Sequence, residues 1–197
     1  MSLRWFVSLL AFISIPWPQK QQGPPPRPYQ DKDAYTIYLL VLAKDQMWQG
    51  NRLVIRNHTS VDPSLDMPSR CMKFEGWDQA RFIAVLEEFE RLNSRQWLVL
   101  PMLSISKPYD LASEQEVSTF SDQDNEAGKR WRERHPGAWG YVYVSAVAFN
   151  ADRTQALVSV SHRYGSLCGA GQYYLLEKKD GQWVEAKLKG EVCGWVS

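Results

Sequence analysis

What this sequence lacks removes whole classes of function. Neither sign of charge prevails: 23 Lys and Arg stand against 22 Asp and Glu, a net charge of +1. There is thus no electrostatic footprint for nucleic acid or for an anionic membrane surface. The single basic cluster, Lys129-Arg130-Trp131-Arg132-Glu133-Arg134, reads as a solvated helical face with Trp131 turned inward. Histidine is scarce, at 3 residues. His58, His135 and His162 are isolated from one another and from any cysteine pair at zinc spacing, so neither a metal site nor a cofactor is expected. No stretch reaches the roughly 20 apolar residues that a spanning helix needs. Gly165-Ser166-Leu167-Cys168-Gly169 has Leu where a nucleophile elbow requires Ser. Gly169-Ala170-Gly171 lacks a third glycine and precedes a strand, which excludes a dinucleotide fingerprint.

What is present is aromatic and apolar: 9 Trp, 9 Tyr and 44% hydrophobic residues in a chain of 197 are enough for one buried core. Residues 1–18 carry Arg4, then an apolar run from Trp5 to Ile15 that Pro16-Trp17-Pro18 stops. This reads as a signal peptide or, since no small-x-small cleavage site follows, as an uncleaved N-terminal anchor. Residues 19–30 read as a proline-rich linker, extended and solvated. Residues 31–197 read as a single α+β domain, a C-terminal antiparallel β-meander packed against two main helices.

The helices follow from apolar spacing. Tyr35, Tyr38, Leu39 and Leu42 predict one from Asp33 to Trp48, and Phe82, Val85, Leu86, Phe89 and Leu92 another that Asp78 caps and Asn93-Ser94 stops. Glu126 to Arg134 can add one or two helical turns. Arg52–Arg56 reads as a first strand at an edge, with Asp62-Pro63-Ser64 in the loop after it. Trp97–Leu100 and Leu103–Ile105 read as strand fragments around Pro101. Tyr141 to Phe149 is apolar on both faces, which predicts a central, covered strand; Tyr141, Tyr143, Val147 and Phe149 would share one of those faces. In the next strand Ala156, Val158 and Val160 alternate with Gln155, Ser159 and Ser161, which predicts one wet face.

Asp180-Gly181 fits a two-residue type I′ turn. It joins Tyr173–Lys179 to Gln182–Leu188 and sets opposed residue numbers to sum to 361. Tyr173, Leu175 and Glu177 would then face Leu188, Ala186 and Val184 and meet the helices. Cys168 and Cys193 satisfy the same sum at a non-hydrogen-bonded position, where the Cα spacing of about 4.5 Å suits a disulfide. That pairing leaves Cys71 over; three unpaired thiols is the other reading. The connection from His162 to Gly171 is the candidate binding loop, offering His162, Arg163 and Tyr164, with a structural crossover as its plainer reading.

Ser145-x-Val147-x-Phe149-Asn150, Thr154-Gln155-Ala156-Leu157-Val158, Leu167-Cys168-Gly169-x-Gly171-x-Tyr173 and Leu175-Leu176-Glu177-Lys178-x-x-Gly181-x-Trp183 together resemble a group of uncharacterised exported bacterial proteins. Typical members end in Trp-x-Ser, as Trp195-Val196-Ser197 does. The resemblance implies a periplasmic or secreted setting and brings no activity. The function expected is a non-catalytic domain that binds a small ligand or an envelope protein, without nucleic acid, and touching the membrane only if the leader is retained. Any exposed pair among Trp48, Trp77, Trp97, Trp131, Trp139, Trp183 and Trp195 would supply a stacking platform. The alternative is a small hydrolase near the 162–171 loop, with His162 or His135 set against a carboxylate such as Asp152.

Overall fold

The computed structural model describes residues 25–44, 50–61, 66–74, 77–121, 123–165 and 168–196. The leader read over residues 1–18, most of the linker, Trp48, Asp62-Pro63-Ser64, Ser166 and Leu167 lie outside these residues. In chain order the elements are β1 (Arg27–Pro28), α1 (Lys32–Lys44), β2 (Leu53–Arg56), α2 (Pro68–Cys71), β3 (Lys73–Phe74), α3 (Trp77–Leu92), β4 (Trp97–Leu98), β5 (Tyr109–Ala112), α4 (Glu114–Ser118), α5 (Glu126–Arg134), β6 (Tyr141–Val144), β7 (Ala148–Phe149), β8 (Gln155–Arg163), β9 (Gly169–Lys179), β10 (Gln182–Glu185), β11 (Gly190–Glu191) and β12 (Gly194–Val196).

The fold is α+β. Its main sheet runs β10-β9-β8-β6-β2-β5, with β7 added on β8 and β12 on β9. The pairings are antiparallel except at β2, which is parallel to both β5 and β6. β2 therefore lies inside the sheet and not at its edge as expected; the edge is β5, whose Tyr-Asp-Leu-Ala lacks the β-branched signature of a strand.

Helices cover both faces. Even-numbered residues of β8 and β9, such as Val158, Val160, Tyr174 and Leu176, pack with Tyr35, Tyr38 and Leu42 of α1. Odd-numbered Leu157, Tyr173 and Leu175 pack with Phe82, Val85 and Phe89 of α3. Farther along the same face Val54, Ala112 and Tyr141 pack with Trp131 of α5, which is turned inward as its sequence suggests. The expected wet face of β8 is thus corrected: Gln155, Ser159 and Ser161 are buried, because α3 and, at Ser161, the Trp195 ring cover that face. α3 begins at Trp77, which puts Asp78 in its first turn instead of at the cap.

The strand read over 141–149 is two strands separated by a bulge. Val144 opposes Val160 and Ala148 opposes Leu157, so Ser145, Ala146 and Val147 stand opposite only Val158 and Ser159. The extra residue resets the alternation. Tyr141 and Tyr143 therefore face α5, while Phe149 joins the α1 side.

The bulge frees buried backbone groups, and side chains take them. Tyr38 Oη donates to Ser145 O at 2.7 Å, and Asn93 bonds both Ala146 O (3.1 Å) and Ala146 N (2.8 Å). A single hydroxyl, Tyr29 Oη, donates to Val147 O and accepts from Val147 N, each at 3.0 Å. Tyr29 is buried, and Arg27-Pro28 pairs in parallel with Trp97-Leu98. The folded domain therefore includes the end of the segment read as linker. Tyr29→Phe is expected to cost about 2–3 kcal/mol, because two buried backbone groups lose their partner for one deleted oxygen. Chemical denaturation of the variant measures it.

The phenols also set an upper pH limit. Burial raises the pKa of Tyr29, Tyr35, Tyr38, Tyr141 and Tyr173 above 10.0. A folded pKa above the unfolded one gives stability that is complete below pH of about 10 and is lost as pH rises beyond it. Urea midpoints that fall steeply above that pH would show the linkage; a flat profile would contradict it.

The Asp180-Gly181 turn has the positive φ values its type needs, 50° and 78°. Through Glu185↔Leu176 the pairs sum to 361 as expected. The chain then departs: β11 pairs with β3, and β12 returns to β9 with pairs such as Trp195↔Gly171, summing to 366. The expected bridge between Cys168 and Cys193 is therefore corrected. The five-residue excursion puts Cys193 beside Tyr173, on the α3 face, where it is bonded to Cys71 at the end of α2; Cys168 is free and exposed. An odd shift exchanges the faces of a strand. Without it Cys193 would point toward α1.

Candidate functional site

The three residues proposed for the 162–171 connection divide between the two faces of the sheet, His162 with Tyr164 on one and Arg163 on the other. His162 and Arg163 belong to β8, opposite Ala170 and Gly169, and alternation sends them to opposite faces. His162 stacks on Tyr164, with ring centroids 5.4 Å apart, and lines a cavity of about 360 Å³ with Val160, Ala170, Gln172 and Lys44. Arg163 lies on the α5 face, its guanidinium 4.7 Å from the centre of the Trp195 ring.

That face carries the more informative arrangement. The register places Ala112, Arg56, Tyr143, Ser161, Gly171 and Trp195 in one row across β5, β2, β6, β8, β9 and β12. The ends of the row belong to helix-packed surface; its middle, between α3 and α5, is polar. Arg56 is 8% exposed, pairs through Nη2 with Glu114 and sits 5.2 Å over the Tyr143 ring. Tyr143 and Tyr141 share a hydroxyl contact of 3.2 Å. Burial, then that contact, raises the pKa of Tyr141, so its hydroxyl is a neutral donor at neutral pH. Burial and then Arg56 lower the pKa of His58, two residues beyond the end of β2.

Three donors of the row, Arg56 Nε, Ser161 Oγ and Trp195 Nε1, are buried and have no acceptor among the described residues. Ser161 is 1% exposed. The glycines explain how the indole gets there. A Cβ on Gly169 would stand 2.7 Å from Trp195 Cη2, and one on Gly171 would stand 2.6 Å from Trp195 Nε1 and 2.1 Å from Ser161 Oγ. The glycine pair is a bed for the ring of Trp195, brought to β9 by the five-residue excursion.

A second polar site lies at the sheet edge. His135, which caps the C-terminus of α5, donates from Nδ1 to Asp110 Oδ2 at 2.8 Å, and Arg52 pairs with Asp110 at 2.7 Å. They border an open cleft of about 830 Å³ along β5. The other ring nitrogen, Nε2, is buried without a partner among the described residues, and the ring lies 4.6 Å from that of Trp131. The partner of His135 is thus Asp110 and not Asp152, whose carboxylate accepts from Thr154 in the turn between β7 and β8.

Of the indoles described, Trp139 is 60% exposed, Trp131 and Trp183 are buried, and Trp97 lies under the Arg95 guanidinium at 3.9 Å. They offer no exposed pair; Trp48 and the Trp77 side chain lie outside the description. Among the described residues no cluster of three His, Cys, Asp or Glu could hold a metal, and no helix is long and apolar enough to cross a membrane. No family model, curated protein or solved structure matches the chain.

Proposed function

We propose that the chain is an exported, non-catalytic domain of the bacterial cell envelope that binds a small ligand or a polar group of a partner on the row from Arg56 to Trp195. The observation that carries this reading is the set of three buried donors that have no acceptor among the described residues. A buried unsatisfied donor costs about 1–3 kcal/mol, so a ligand that supplies acceptors there recovers stability the fold gives up. Export is supported by the apolar leader and by the Cys71–Cys193 bond, since disulfides persist in oxidising compartments. The envelope setting rests on the resemblance described above.

For the hydrolase reading, the histidine with a carboxylate in hydrogen-bond reach is His135, beside Asp110 at the cleft along β5. A general base must reach a substrate proton, and His135 Nε2 is shut away against Trp131. This favours a latch between β5 and α5. A panel of small metabolites screened by thermal shift, with ester and phosphoester hydrolysis assayed on the same protein, separates the readings. Stabilisation without turnover is expected. Turnover abolished in both His135→Gln and Asp110→Asn, with folding retained, would establish the hydrolase instead.

A further inference from the structure

We infer that the row from Arg56 to Trp195 is an oxyanion site, taking a carboxylate or a phosphate group of a small ligand, with Trp195 and its strand as the closing element. The inference rests on the binding reading above and adds the ligand's chemistry.

The site is rich in donors, and two cations, Arg56 and Arg163, stand on its face. Glu114 holds Arg56 Nη2 and so fixes the guanidinium, whose Nε, on the same edge, is buried without an acceptor among the described residues. The Tyr141–Tyr143 hydroxyl pair passes one proton between its members and retains one to give. Ser161 Oγ and Trp195 Nε1 flank Gly171 no more than 4.7 Å from each other, near enough for both to donate to one oxyanion once the indole moves aside. Arg163 supplies a second positive charge on that face, against the Trp195 ring.

Arg56 and Trp195 only donate, whereas the hydroxyls of Ser161, Tyr141 and Tyr143 also accept. The carboxylate nearest Arg56 is Glu114, already engaged in its ion pair. Guanidinium, hydroxyl and indole donors together match an oxyanion, whose oxygens only accept.

Entry requires β12 to lift. That strand is three residues long, pairs among the described residues with β9 alone, and carries an exposed Val196 beside Trp195. Its disulfide is two residues upstream, at Cys193, and keeps the strand tethered when it opens.

The test uses the disulfide-intact full chain labelled with nitrogen-15, in which each indole N–H gives its own signal; Trp195→Phe assigns that of Trp195. Inorganic phosphate and acetate are titrated separately at constant ionic strength, with chloride as the control. A saturable downfield shift of the Trp195 signal with phosphate or acetate, absent with chloride, is expected. The arm that responds identifies the source of the oxyanion. Ser161→Ala should weaken binding roughly ten- to hundredfold, the cost of one hydrogen bond to a charged group. Arg163→Gln, at a less buried position, should weaken it too. A Trp195 signal that ignores both anions, an equal response to chloride, or an unchanged affinity in both variants would overturn the oxyanion assignment. A neutral ligand that moves the Trp195 signal where both anions fail would leave the binding row in place and exclude only its anionic chemistry.

Discussion

Reduction of the Cys71–Cys193 bond, or its removal in a Cys71→Ser, Cys193→Ser variant, is expected to destabilise the protein by about 4–5 kcal/mol. The bond joins residues 122 apart. Closing a loop of that length removes about this much chain entropy from the unfolded state. At the usual transition entropy of a domain this size it lowers the melting temperature by about 10–15 °C. The effect is also local, because the bond anchors the excursion that carries Trp195 onto Gly169 and Gly171. Peptide mapping under non-reducing conditions should recover Cys71 joined to Cys193, with Cys168 alkylated in the native protein. A Cys168→Ser change should leave the melting temperature unaltered. A bond between Cys168 and Cys193 would refute the register that positions the candidate site.

Gly171→Ala is the point substitution expected to do most damage to the site, about 3 kcal/mol. The new methyl would stand 2.1 Å from Ser161 Oγ, 2.8 Å from Ser161 Cβ and 2.6 Å from Trp195 Nε1. None of these is the loose end of a flexible chain. The backbone of β9 is fixed by β8 on one side and β12 on the other, so Ser161 Oγ must turn away and the indole must shift off the glycine. Adding Trp195→Ala to Gly171→Ala should therefore cost less than the sum of the two single changes. A double-mutant cycle by chemical denaturation measures the coupling. Additive losses would mean that the ring does not lie on the glycine, and the donor row would lose its last member.

The parts of the fold legible in the sequence are those written locally. The Asp180-Gly181 turn requires positive φ at two adjacent residues, and that is enough to set the pairing of β9 with β10. The apolar spacing from Phe82 to Leu92 defines α3 and the face it buries, and the two apolar sides of Tyr141–Val144 indicate a covered strand. The bulge after Val144 left no such mark. It turns Ser145 O and both backbone groups of Ala146 and Val147 to side chains, those of Tyr29, Tyr38 and Asn93, far away in the chain. Tyr29 follows a proline-rich stretch whose composition speaks of solvent, and its burial depends on a backbone gap made by another segment.

The candidate site divides in the same way. Arg163 was recognisable as a polar group on a glycine-flanked connection. Arg56, Ser161 and Trp195 were not, because strands from four parts of the chain must be set in register before their donors share one row. His135 and Asp110 likewise meet only when α5 closes against the edge strand.

By itself, then, the sequence determined the α+β class, the terminal hairpin and the presence of a helix built on Phe82 to Leu92, since turn chemistry and apolar periodicity act over a few residues. Tertiary structure decided which cysteines pair, which face Trp195 takes and what it meets there. Those outcomes turn on a five-residue excursion whose length is set by where β3 and α2 lie, and no local rule encodes that distance.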